Sequence, residues 1–304
     1  MGQVAERPLY GALMIVAGMT LIGVIDNCVR IIADHVGLWQ FHLMRTLMAA
    51  PAIIVFGAVL GIAWRPRRIG PALLRTAFIS GSMLLYFGSL PTAPVAQAAA
   101  GILTSPIWVL LLTALVLGGK IGPRRIFAVA LGFVGVCLIL RPWEEAFTIW
   151  SLAPVAAGAL YACGALTTRR LCADEPPMAL ILLFFIALGL AGALGSLGLA
   201  IAPAPELEAA APFFFKPPAW PVASEGWVWI AVQAFGSIFC VLLTTRGYQS
   251  AETSYVALFD YTFIVSAGLT GWIVWGDALD AQALAGVALI VGSGAFIALR
   301  MERA

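Results

Sequence analysis

Residues 177 to 202, PMALILLFFIALGLAGALGSLGLAIA, run without one charged side chain. As a helix rising about 1.5 Å per residue, such a stretch reaches across the roughly 30 Å hydrocarbon core of a bilayer. Stretches of this kind recur along the chain, and they decide the fold class before any motif is considered. Composition agrees, with 62% hydrophobic and 11% charged residues and a mean hydropathy of +0.99. Soluble domains are nearer half apolar and a quarter charged. A membrane β-barrel calls for alternating segments of about 10 residues, and these runs are longer and do not alternate. The expectation is an all-α membrane protein.

Apolar runs between charged or Pro/Gly breaks predict ten transmembrane helices, near 9–33, 38–63, 71–90, 94–117, 124–141, 149–170, 177–202, 226–248, 252–276 and 281–299. Most connections are short, such as DHVG and QSAE; residues 203–225, rich in Pro and aromatics, form the long one. If the spans alternate, Arg65, Arg67, Arg68, Lys120, Arg124, Arg125, Arg169 and Arg170 fall on one side with Arg246 and the terminal arginines. Opposite them lie only Arg30, Arg141 and Lys216. The positive-inside rule makes the rich side cytoplasmic, with both termini inside and the chain integral to a prokaryotic inner membrane.

LVLGGKIGPRR…LILR is echoed by IVWGDALDAQA…IALR, pairing Gly118 with Gly276 at a spacing of 158 and Arg141 with Arg300 at 159. Five helices per half is an odd number, so equivalent ends fall on opposite membrane faces. The predicted architecture is therefore two inverted five-helix repeats, 1–145 and 146–304. Such repeats mark secondary transporters that alternate access around a midplane site.

TSPIWVLLLTALVLGG closing the fourth helix, and FDYTFIVSAGLTGWIVWGDALDAQALAGVALIVGSG across the ninth and tenth, resemble the EamA-type members of the drug/metabolite transporter superfamily. The resemblance runs over nearly the whole chain and is strongest from Trp275 to Ile290. Many members close the fourth helix with Gly-Glu, where this chain has Gly118-Gly119-Lys120. The resemblance implies a 5+5 bundle moving amino acids, nucleotide-like metabolites or other small solutes.

Charges inside the spans are the candidates for function, because an unpaired charge at the bilayer centre costs about 2.5–3.5 kcal/mol on insertion scales. Asp26 sits about 10 Å below the outer end of the first helix by helical rise. The turn DHVG is centred midway between Asp26 and Arg45, so the first hairpin brings these two level, where they can pair. Arg30, at i+4 from Asp26, can share the carboxylate or reach outward to water. Two readings stand for this group: a latch between helices, or a charged lining that meets a zwitterionic or anionic solute. Asp260 lies about 12 Å deep from the cytoplasmic side without a basic neighbour in sequence, and fits a solute- or proton-linked role or a structural one.

Gln97 and Gln233 fall inside spans of the two halves, and Tyr86, Tyr161, Tyr255 and Tyr261 offer rings able to grip a planar solute or a cation. Trp220, Trp227 and Trp229 read as an interfacial belt. Five scattered cysteines and two histidines show no metal-ligand spacing, and VLGGKIG lacks the spacing of a nucleotide loop. No metal, cofactor or nucleic acid is implied; the partners are a small-molecule solute and the lipid bilayer, and monomer and homodimer are both compatible. The chain is expected to be a transporter rather than an enzyme, rocking its two halves around a central cavity. A membrane-embedded enzyme acting on a lipid-linked substrate, or a channel, is the rival.

Overall fold

A computed structural model describes residues 7–92, 95–117, 123–141, 143, 149–257 and 259–301. Among them there is no strand. The helices are α1 (Pro8–Ile25), α2 (Val29–His35), α3 (Leu38–Val59), α4 (Ile69–Ser89), α5 (Val95–Ile102), α6 (Ser105–Leu117), α7 (Pro123–Leu140) and α8 (Ala153–Leu171). They continue as α9 (Pro177–Ile201), α10 (Pro205–Ala210), α11 (Pro212–Phe215), α12 (Ser224–Ser250), α13 (Thr253–Val256), α14 (Thr262–Trp275) and α15 (Ala281–Met301). Prolines open α1, α7 and α9, where the missing N–H is one the first turn leaves unpaired anyway.

Among the described residues, 7 segments are long and apolar enough to cross a membrane: Pro8–His35, Leu38–Val59, Ile69–Ser89, Ala98–Leu115, Trp150–Leu171, Pro177–Ile201 and Ser224–Ser250. Shorter apolar stretches lie in α7 (Ala130–Ile139) and α15 (Ala281–Ser293). The ninth predicted helix, expected to be continuous, is not. α13 ends at Val256, a 3-10 turn covers Phe259–Tyr261, and α14 supplies only 14 residues. The fourth is likewise split between α5 and α6, where Pro106 cannot give the N–H that the Ile102 carbonyl would take. The first contains a 3-10 turn at Asp26–Cys28.

The principal helix pairings are α4 with α8, α3 with α9, α1 with α12 and α7 with α15. The seam of α3 and α9 shows how sequence permits the contact. A Cβ added at Gly189, Gly192 or Gly195 would fall 2.5 Å from Thr46 Cγ2, 2.5 Å from the Trp39 carbonyl oxygen and 2.2 Å from the Trp39 ring. Only glycine lets the two backbones approach so closely, as small residues commonly do between membrane helices. The other face of α9 presents Leu190, Leu194, Leu197 and Ile201, and α12 presents Val228, Val232, Phe235 and Phe239. Both stripes are exposed, apolar and helically spaced, as a lipid-facing surface must be.

One end of the bundle is capped by the segment between α9 and α12. The chain there is not a bare loop: α10 and α11 form within it, and Phe213 is buried. Trp39 Nε1 donates to the Phe214 carbonyl at 2.8 Å, and Gln40 exchanges hydrogen bonds of 2.7 and 3.0 Å with the Ala219 backbone. Lys216 Nζ donates to the Ala33 and Asp34 carbonyls at 2.8 and 3.0 Å, near the C-terminal end of α2 where a cation is favoured. At the opposite end the buried Glu175 carboxylate accepts from the Arg67 and Arg68 backbone N–H groups at 2.6 and 2.9 Å.

Candidate functional site

The three interruptions meet at one place. A cavity of about 100 Å³ is lined by Asp26 from the first, by Ile102, Leu103 and Ser105 from the second, and by Asp260 from the third. Its remaining wall is largely apolar, with Met19, Met83, Phe184 and Val241 among the lining residues. Into that wall are set Arg45, Arg75, Tyr86 and Tyr161. Interrupted helices with polar groups at depth are where transporters of broken-helix design hold their solutes.

Asp26 is buried, and both of its oxygens are occupied. Tyr86 of α4 donates its hydroxyl to Oδ2 at 2.9 Å, and Gln233 of α12 donates Nε2 to Oδ1 at 2.8 Å. Arg45 of α3 reaches Gln233 Oε1 with Nη1 at 3.5 Å. The expected direct pairing of Asp26 with Arg45 is therefore corrected. Gln233 stands between them, its amide accepting from the guanidinium and donating to the carboxylate. The common depth came from the hairpin, but a side chain from a distant helix fills the gap. The Arg45 guanidinium lies over the rings of Phe41, Phe87 and Phe185, with centroids 5.1, 4.9 and 5.2 Å from Cζ.

The neighbouring polar residues of α1 and α2 have other tasks. Asn27 Nδ2 donates to the Gly23 carbonyl at 2.8 Å and to the Ala267 carbonyl of α14 at 3.3 Å. Arg30 does not share Asp26. Its Nη1 pairs with Asp277 Oδ2 at 3.0 Å near the capped end, and its guanidinium lies 5.2 Å from the Trp275 ring centroid. A second ion pair joins Arg141, just after α7, to Asp280 in the loop that also holds Asp277. The Arg141 guanidinium holds the exposed Asp280 carboxyl below the usual carboxylate range.

Asp260 is fully buried and accepts the Tyr248 hydroxyl on Oδ2. Tyr161 stands edge-on to Tyr248, their centroids 6.0 Å apart. Tyr261 is buried beside Asp260 without lining the cavity, and Tyr255 instead packs on Phe259 at 5.4 Å. The side chain of Gln97 lies outside the described residues.

Arg75 escaped the sequence reading. It sits about 9 Å into α4 by helical rise and is buried. Nε donates to Thr168 Oγ1 at 3.3 Å, Nη1 to the Leu180 carbonyl at 3.2 Å and Nη2 to Thr245 Oγ1 at 3.1 Å. The signal was present: an arginine more than one turn inside an apolar run is costly unless it is paired.

A cavity of buried charges, walled by helices with lipid-facing stripes, is an arrangement that suits an integral membrane transporter. Residues 9–141 match the EamA-like transporter family, and the resemblance to EamA-type members of the drug/metabolite transporter superfamily is borne out. That match falls on the first half, although the signature expected to be strongest lay in the second. The chain is 27% identical over 267 residues to a riboflavin transporter of Brucella anthropi, covering 86% of each. To a riboflavin transporter of Vibrio cholerae serotype O1 it is 26% identical, covering 97% of this chain and 94% of that one. A pseudopaline exporter of Pseudomonas aeruginosa is 22% identical, with 92% and 93% covered. One solved crystal structure superposes with a TM-score of 0.69 over 97% of this chain and 99% of the other at 19% identity, a likeness of fold alone.

Proposed function

We propose that the chain is a secondary transporter of small polar metabolites in the prokaryotic inner membrane, working by alternating access with both termini cytoplasmic. Ten membrane helices in two inverted halves, 1–145 and 146–304, are the architecture this reading requires. Its support is the pairing pattern. Exchanging the halves turns α4–α8 into α12–α1 and leaves α3–α9 and α7–α15 as they are. All four pairings join one half to the other, so the moving bodies are helix groups drawn from both halves rather than each half rocking by itself. The capped end is then the outer face, closed by the Arg30–Asp277 and Arg141–Asp280 pairs.

The cavity is the observation that carries the function. It gathers two carboxylates from interrupted helices and two guanidiniums from the unbroken helices α3 and α4 behind an apolar wall. Among small polar solutes, the names of the relatives favour a heteroaromatic metabolite, with riboflavin the first to try. A lipid-linked enzyme substrate calls instead for acid/base groups near one interface, and a channel for a ring of like charges. The test is uptake into proteoliposomes of labelled riboflavin beside an amino-acid and nucleoside panel. Saturable uptake of one class supports the reading; no uptake of any solute by folded protein overturns it. Impermeant labelling of intact cells should mark Ser224→Cys and spare Arg68→Cys; the reverse pattern inverts the proposed orientation.

A further inference from the structure

We infer that the cavity takes a solute of zero net charge with a flat edge bearing two adjacent hydrogen-bond acceptors at one end and hydrogen-bond donors at the other. The inference rests on the transporter reading above and specifies its solute.

The first end is set by Arg45. Of its nitrogens only Nη1 has a partner, Gln233, while Nε and Nη2 are buried without one. Those two nitrogens form the long edge of the guanidinium, whose parallel N–H bonds are spaced for two acceptors lying in its plane. Phe41, Phe87 and Phe185 surround the guanidinium and offer it ring faces but no lone pairs on oxygen or nitrogen, so the edge is where acceptors are still missing. Buried donors left without acceptors are costly, and a planar acceptor pair removes that cost.

The second end is set by Asp260. Its Oδ2 holds the Tyr248 hydroxyl, whereas Oδ1 is buried without a partner and accepts a donor. Arg45 on α3 and Asp260 in the turn before α14 line the same cavity from different helices. The wall between, with Met83 and Phe184, is apolar.

Charge balance fixes the remaining property. Arg45 is already offset by Asp26 through Gln233, and Arg75 lines the same cavity as Asp260. What Arg45 lacks is lone pairs, and an anion would add an uncompensated charge at depth.

The experiment measures Kd on purified protein for three probes. Riboflavin has the two-acceptor edge and a hydroxyl tail, lumiflavin has the same ring with a methyl in place of the tail, and flavin mononucleotide ends in a phosphate. The wild type should bind riboflavin more tightly than lumiflavin, and the phosphorylated probe at least about tenfold more weakly than riboflavin. Arg45→Lys keeps the charge but loses the flat edge, and should weaken riboflavin and lumiflavin alike by about tenfold or more. Asp260→Asn should weaken riboflavin toward the lumiflavin value and leave lumiflavin unchanged. Equal or tighter binding of the phosphorylated probe overturns the inference without need of any variant. Unchanged binding by folded Arg45→Lys protein overturns it too. Should none of the three bind while the uptake panel still finds a carried solute, the inference fails and the transporter reading stands. Absence of uptake for every solute overturns the reading beneath it.

Discussion

Arg45 and Arg75 are both buried and line one cavity, yet the protein treats them differently. Every nitrogen of Arg75 has a protein partner, and those partners lie on α8, α9 and α12 while the arginine itself is on α4. It is a brace tying four helices together. Arg45 has one hydrogen bond, at 3.5 Å, and otherwise meets aromatic faces. On the inference drawn above, the same side chain serves stability where its donors are used up and recognition where they are left over. Burial alone does not distinguish the two; the count of satisfied donors does.

The comparison breaks most readily at Arg75. Arg75→Ala removes three hydrogen bonds and takes from the buried Thr245 hydroxyl its arginine partner, while Thr168 keeps its bond to the Gly164 carbonyl. It should cost roughly 3 kcal/mol in denaturant or thermal unfolding. A variant that unfolds like the wild type would show that the brace is not one. Arg45→Lys should do the opposite, lowering the transport rate at limiting solute about tenfold or more while unfolding stability moves by less than about 1 kcal/mol. Equal damage to stability from both arginines would erase the distinction drawn between them.

A smaller effect, and a sharper one, belongs to Asp260. If Asp260 gains and loses a proton during transport, Asp260→Asn should flatten the pH profile of maximal transport and leave the rate at the wild-type optimum within about threefold. Retention of the wild-type profile would assign the proton elsewhere, with Asp26 the remaining carboxylate of the cavity. The groups around Asp260 are Tyr161, Tyr248 and Tyr261, with the Arg75 guanidinium lining the same cavity.

The outer latches should matter least. Arg30 and Asp277 side chains are 54% and 26% exposed, and such pairs contribute about 0.2–1 kcal/mol. Arg30→Asp with Asp277→Arg should restore whatever either single change loses in uptake. For Asp280 the sign is fixed by its lowered proton affinity. Its pairing with Arg141 contributes fully above the ordinary carboxylate range and is lost as pH falls through the lowered value. Cysteine accessibility near the capped end should therefore rise on strong acidification, and Asp280→Asn should show the rise at all pH values.

Much of the helical frame was legible because apolar runs report lipid directly. The common depth of Asp26 and Arg45 was legible too, since a short turn fixes antiparallel register. Gln233 as their bridge was not, for its contact spans 207 residues of sequence to Asp26. The interruption between α5 and α6 carried a signal in Pro106, which the apolar count overrode. The one before α14 carried none: VALFDYT contains neither proline nor glycine, and only tertiary packing breaks it. Tyr248, Thr168 and Thr245 read as ordinary residues of apolar helices until Asp260 and Arg75 are seen against them.

The 3-10 turn at Asp26–Cys28 has a mechanical consequence. Its first residue is hydrogen-bonded across the cavity, and Arg30, about 6 Å further along by helical rise, grips Asp277 at the outer face. The turn thus joins a residue of the cavity to a residue of the ion pair at the capped end within four positions. On the proposed transporter reading, a solute that draws Arg45 aside would pull Gln233 and through it Asp26, and the displacement would reach Arg30 and its Asp277 partner through a single turn of chain.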